Sequence, residues 1–224
     1  MVKIWGKETS IESITVNMVA TYLERQANDR SANAANRDRK NLLAMWNWGV
    51  KRYDFPANPV IKIGKFRHDP KPQYTPSTED IQRLLVAATR EERVLLSCYL
   101  NTEARRSEIF RLKWNEDVNF EKRQVRLGTR KTKDGSMDYQ WMPMNEDLYD
   151  SLWWQWNNRK FPESPYVFVS ESSRYRGQPF KVRRKFLAGL CKRAGIKPFG
   201  YHALRRYVAS VLADTHKLSS KRIQ

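Results

Sequence analysis

Apolar residues recur at helical spacing soon after the chain begins. Val16, Val19, Ala20 and Leu23 fall three or four positions apart, which predicts a helix over about Thr15–Glu24 with Thr15 as its cap. A longer helix is expected over about Ala32–Tyr53. Its apolar stripe is Leu42, Leu43, Met45, Trp46 and Val50, with Arg37, Arg39, Lys40, Lys51 and Arg52 among the polar positions. Phe55-Pro56-Ala57-Asn58-Pro59 ends it, because proline has no amide hydrogen and pushes its predecessor out of the α region. From Val60 to Thr75 the apolar rhythm fades into Lys, Arg, Pro, His and Gln, the composition of a linker. Three parts are expected: a helical module over 1–64, a linker over 65–75 and a second domain over 76–224.

The second domain opens at Pro76-Ser77-Thr78-Glu79-Asp80, where Ser77 or Thr78 caps a helix and the acids suit its N-terminal dipole. Helices are expected at Thr78–Thr89, Glu91–Asn101 and Arg106–Leu112. Val118–Leu127 and Asp138–Met144 read as two strands of a hairpin joined around Lys133-Asp134-Gly135-Ser136. Asn145–Asn158 is helical, and its spacing puts Leu148, Leu152, Trp153 and Trp156 on one buried face. A short strand over Tyr166–Val169 is followed by helices over Phe180–Ala194, basic through Lys181, Arg184, Lys185 and Lys192, and over Tyr201–Ala213. The fold class is mainly α with a small antiparallel β-sheet, α+β.

Charge then narrows the partners. The chain carries 42 Lys/Arg against 24 Asp/Glu, a formal net charge of +18. Residues 121–224 hold 22 Lys/Arg and 9 Asp/Glu, so +13 of that excess lies in the C-terminal half. So basic a surface points to a polyanion, first of all double-stranded DNA. The basic residues are spread over strands, turns and helices rather than gathered beside an apolar anchor, which disfavours a membrane surface. The apolar runs are too short to cross a bilayer and no signal peptide is present, so a cytoplasmic address is expected. Cys98 and Cys191 stand in apolar helical contexts as two reduced, buried thiols, and the three histidines do not complete a zinc pattern with them. No cofactor is expected, and scattered acids argue against a metal-dependent nuclease.

Two arginine boxes carry the chemistry. Thr102-Glu103-Ala104-Arg105-Arg106-Ser107-Glu108 and His202-Ala203-Leu204-Arg205 place Arg105 and Arg205 100 residues apart. Planar guanidinium groups bind the non-bridging oxygens of a phosphodiester bidentately, so two of them make a clamp. Arg105 stands at a helix start, where backbone amides already favour an anion. Glu108, one turn on, can orient a neighbouring cation or be an ordinary exposed glutamate. His202 and Arg205 share a helix face. Arg106 reads as a surface or DNA-backbone contact, as do Arg37, Arg39, Lys40, Arg130 and Arg206.

The run from Thr102 to Trp114 resembles the first arginine box of the tyrosine recombinases, or phage integrases, T-G-x-R-x-S-E-I-x-x-L-x-W, departing from it at Glu103. Phe199 to Ser210 is similar to their second box, H-x-L-R. The resemblance implies a core-binding helical domain of SAM-like type followed by a catalytic domain. It implies that Arg105 and Arg205 clamp the scissile phosphate, that His202 donates or accepts a proton and that Glu108 supports the first box. The family's hairpin lysine protonates the leaving 5′-oxygen. Lys131 and Lys133 both qualify and face the same side of an extended strand, Thr129-Arg130-Lys131 being slightly closer to the family context. The chemistry implied is strand transfer through a 3′-phosphotyrosyl link, without metal or ATP, by tetramers on paired attachment sites. The family's third box and nucleophilic tyrosine lie downstream of a segment like Leu218–Gln224. The expectation is therefore a truncated integrase, monomeric in solution, that binds DNA without cleaving it. The alternative is a non-catalytic DNA-binding protein of the same fold.

Overall fold

The computed structural model describes residues 5–70, 72–130 and 135–216. It forms two compact units, Met1–Pro72 and Gln73–Gln224. Among the described residues no helix is long and apolar enough to cross a membrane.

The first unit is a helical hairpin. Helix α1, Val16–Asp29, is capped by Thr15, whose hydroxyl accepts the Met18 N–H at 3.3 Å. Helix α2, Ala32–Arg52, is capped in the same way by Ser31 on Ala34, at 3.1 Å. Val19, Leu23, Leu42 and Val60 form the shared core. Trp46 is fully buried and donates its indole N–H to the Pro56 carbonyl at 3.0 Å, pinning the segment that leaves α2. Packing does not stop where the composition changes. Asn58 caps a short 3-10 turn over Pro59–Lys62 by accepting the Val60 N–H at 2.9 Å. Asn36 then holds Phe66 through both backbone groups, at 2.8 and 2.9 Å, and Arg39 donates to the Ile63 carbonyl at 2.6 Å. Side chains of α2 therefore order residues that look like linker when read along the sequence.

The second unit is built around α4, Arg90–Thr102, in which Val94 through Tyr99 are all buried. Helix α3, Thr78–Ala87, and α4 each begin with a reciprocal capping box, Ser77 with Asp80 and Thr89 with Glu92. Two short helices follow, α5 (Arg106–Ile109) and α6 (Trp114–Asp117), then strands β1 (Val118–Asn119), β2 (Gln124–Thr129) and β3 (Asp138–Pro143). The sheet is antiparallel in the order β1-β2-β3, with Val125 opposite Met142 and Thr129 opposite Asp138. Helices α7 (Glu146–Asn157), α8 (Arg184–Ala194) and α9 (Tyr201–His216) complete it. Cys98 and Cys191 are buried free thiols.

Four expectations are corrected. The strand expected over Val118–Leu127 is two strands, because Asn119 accepts the Lys122 N–H at 2.8 Å and Arg123, at φ 49°, turns the chain back. The sequence marks this break, since Val118 and Phe120 are in one phase of the strand alternation and Val125 and Leu127 in the other. Tyr166–Val169 makes only isolated bridges, Lys113 with Tyr166 and Val169 with Pro179. Helix α8 starts at Arg184 rather than Phe180, whose ring packs on Phe110 at 5.5 Å. Trp153 is 45% exposed, because the buried stripe of α7 is Leu148, Ser151 and Leu152.

Gly49 sits where α2 meets Phe55, and a Cβ there would lie 2.3 Å from that ring. Gly49→Ala is expected to destabilise the first unit by about 1–3 kcal/mol through overpacking, seen as a lower urea midpoint with an unchanged slope.

Candidate functional site

The first box takes its shape from the end of α4. Thr102 donates its hydroxyl to the Cys98 carbonyl at 2.5 Å and accepts the Ala104 N–H at 3.3 Å. Glu103 is left-handed, φ 52°, and reverses the chain so that Arg105 stands at the head of α5. Glu108, one turn later and buried, accepts the Arg105 amide N–H at 2.7 Å and one guanidinium N–H at 2.8 Å. The same guanidinium reaches the Thr129 hydroxyl at 3.2 Å, tying the box to the end of β2. Burial pushes the Glu108 carboxyl up, but the hydrogen bonds and charge of Arg105 outweigh it and hold it below the usual carboxylate range. Arg105 still leaves 33% of its side chain open.

The second box is placed by packing. Ala203, Leu204 and Val208 bury one face of α9, and Tyr201 lies against Tyr99 and Phe110 at 4.9 and 6.2 Å. The Tyr201 hydroxyl donates to the Arg183 carbonyl at 3.1 Å, and burial pushes it up to about 12. His202 is exposed and Arg205 half-buried.

Both boxes open on one cleft of about 420 Å³. Its walls include Arg105, Arg106, His202 and Arg205. Arg184 and Ser107 join them. The sequence placed Arg184 on a basic helix face and gave no sign that this face turns to the boxes. Arg106 lies over the Tyr201 ring at 5.9 Å. Glu108 sits behind Arg105. Lys131 and Lys133 lie outside the described residues.

The remaining basic candidates divide by what already holds them. Arg37, Lys40 and Arg130 are exposed. Arg39 is engaged by the Ile63 carbonyl, and Arg206 donates to Gln73 at 3.0 Å and to the Tyr74 carbonyl at 2.7 Å. These two arginines hold their own chain, a role their sequence neighbours do not reveal. Among the described residues no cluster of His, Cys, Asp or Glu could hold a metal ion.

Residues 77–224 match the model of the phage integrase family. The chain belongs to that family, the tyrosine recombinases. No curated protein matches its sequence closely enough to report. The fold is that of solved integrases. The Tn1549 transposon integrase in complex with transposon right end DNA is 19% identical with a TM-score of 0.75, covering 98% of this chain and 78% of that one. The lambda integrase dimer bound to a COC′ core site is 15% identical with a TM-score of 0.72, covering 100% of this chain and 81% of that one. A lambda integrase tetramer bound to a Holliday junction is 16% identical with a TM-score of 0.67, covering 95% and 63%.

Glu108→Gln should lower stability at neutral pH by about 1–3 kcal/mol, the range for an impaired buried charged hydrogen bond. A carboxyl held low in the folded state stabilises above its unfolded pKa and loses that contribution as pH falls through the folded value. The gap between variant and parent should therefore narrow below about pH 4, checked by urea titrations from pH 7 to pH 3.

Proposed function

We propose that the chain binds double-stranded DNA at attachment sites and grips the phosphodiester to be exchanged between Arg105 and Arg205. The reaction served is site-specific recombination by strand transfer through a 3′-phosphotyrosyl intermediate. The observation that carries this is the single cleft onto which two boxes 100 residues apart converge, four arginines and a histidine lining it.

In that chemistry a tyrosine oxygen bonds to phosphorus, the bond to the 5′-oxygen breaks and the departing oxygen takes a proton. Arg105 and Arg205 neutralise the charge that grows on the non-bridging oxygens. His202 exchanges a proton at the cleft mouth, and Lys131 or Lys133 on the hairpin supplies the proton of the leaving group. Glu108 acts through Arg105 by fixing its amide and guanidinium. Arg37, Lys40, Arg106 and Arg130 contact the DNA backbone, while Arg39 and Arg206 position the chain that presents it.

The attack is assigned to none of the ten tyrosines of this chain. Tyr201, the tyrosine of the cleft, has its hydroxyl on the Arg183 carbonyl, and Tyr207 directs its own at Thr78, 3.4 Å away. On this reading these residues bind and position DNA and do not cut it. The alternative reading is a DNA-binding protein that uses the recombinase fold without catalysis, and it accounts for the same cleft. In solution the chain is a monomer, and tetramers form on paired sites, as in the lambda integrase assembly on a Holliday junction.

Binding to a labelled duplex should weaken with salt at a slope of about −0.9 per phosphate neutralised. Arg105→Ala and Arg205→Ala should each weaken it roughly tenfold, the lower end for a lost charged hydrogen bond. A flat salt response with no effect of either variant would refute the clamp. Incubation with a nicked duplex should leave no adduct that survives detergent electrophoresis, and a covalent adduct would show that one of these tyrosines attacks after all.

A further inference from the structure

Every second residue of β2 faces inward, Val125, Leu127 and Thr129, and the first two are buried in the core. A valine at position 129 would continue the pattern. The threonine that stands there is half-buried, and its hydroxyl accepts an N–H of Arg105 at 3.2 Å, across 24 positions of the chain. The donor is Nη1, the same nitrogen that gives a hydrogen to Glu108 Oε1 at 2.8 Å. The Thr129 hydroxyl also helps hold the Glu108 carboxyl in its ionised form. One side chain at the end of a strand thus serves both members of the buried pair.

That both bonds leave one nitrogen matters, because the two hydrogens of Nη1 lie in the plane of the guanidinium. A single acceptor lets that plane tilt about the bond, whereas two acceptors fix it. Nε and Nη2 form the opposite edge, with two parallel N–H groups, and no protein acceptor among the described residues engages them. Arg105 lines the cleft, and such an edge is what a phosphate accepts bidentately. We propose that Thr129 is a positioning residue of the clamp, which with Glu108 locks the plane of Arg105 and so orients its free edge before a phosphodiester arrives. The inference rests on the clamp described above. Thr129 does not itself contact the phosphate, and its effect passes through Arg105.

Thr129→Val keeps the branched shape and the strand preference and removes the hydroxyl, which Thr129→Ser retains. In fluorescence polarisation with a labelled duplex, Thr129→Val should bind about two- to tenfold more weakly than the parent, the range of one hydrogen bond. Thr129→Ser should recover most of that loss. In an Arg105→Ala background the valine substitution should cost nothing further, because residues that act through one contact are not additive. A residue that only supported the fold would cost the same in both backgrounds. An equal loss there, unchanged binding by Thr129→Val or no recovery by Thr129→Ser would overturn the proposal. If neither the parent nor any variant binds the duplex, the DNA function falls, and the side-chain N–H signals of Arg105 in the free protein decide for Thr129. Guanidinium rotation restricted in the parent and in Thr129→Ser but freed in Thr129→Val would leave the positioning role standing. Signals alike in all three would remove it. Should Thr129→Val fail to fold, Thr129→Ala takes its place in both measurements.

Discussion

The site depends on the pairing of Arg105 with Glu108. A carboxylate with 8% of its side chain exposed has lost most of its hydration, and only donors supplied by the protein make that tolerable. Arg105 supplies two of them, one from its backbone and one from its guanidinium. The pairing works in both directions, since it fixes the guanidinium and leaves a third of the side chain open to a ligand. Thr129 extends the arrangement to the end of β2, so the head of α5 and the strand leading into the hairpin are held together.

The second arginine is positioned by a different force. Among the described residues no acid is hydrogen-bonded to Arg205. Helix α9 buries Ala203, Leu204 and Val208, and the periodicity of the helix then sends His202 and Arg205 to the cleft side. Tyr201 serves the same end by entering an aromatic cluster with Tyr99, Phe110 and Phe186. Of the two box arginines, one is thus set by an ion pair to a buried carboxylate and the other by apolar packing. The two respond differently to their surroundings, since salt and acid act on charges while packing answers to side-chain volume.

The left-handed residue between α4 and α5 makes the convergence possible. A helix continuing past Thr102 would carry Arg105 onward along its axis, whereas the reversal at Glu103 returns it beside the cleft. The family pattern has glycine at this point, which adopts that conformation without cost. Glutamate there adopts the left-handed conformation at a cost in strain.

Helix starts, the two boxes and the buried cysteines were legible along the chain because each depends on neighbours within a turn or two. Thr15, Ser77 and Thr89 cap helices through amides three residues on, and that spacing is present in the sequence itself. The fold class and the family followed from such local patterns. Tertiary structure alone decided that Arg184 joins the cleft while Arg206 turns to Gln73 and Tyr74, and that Arg39 holds Ile63. It also decided that Trp153 stays half exposed and that residues 58–66 pack against α2. The physical reason is one of range. Capping and periodicity are satisfied by residues close along the chain, whereas the partner of a long arginine or an aromatic ring is whichever group packing brings near, and for Arg206 that group lies more than 130 residues away.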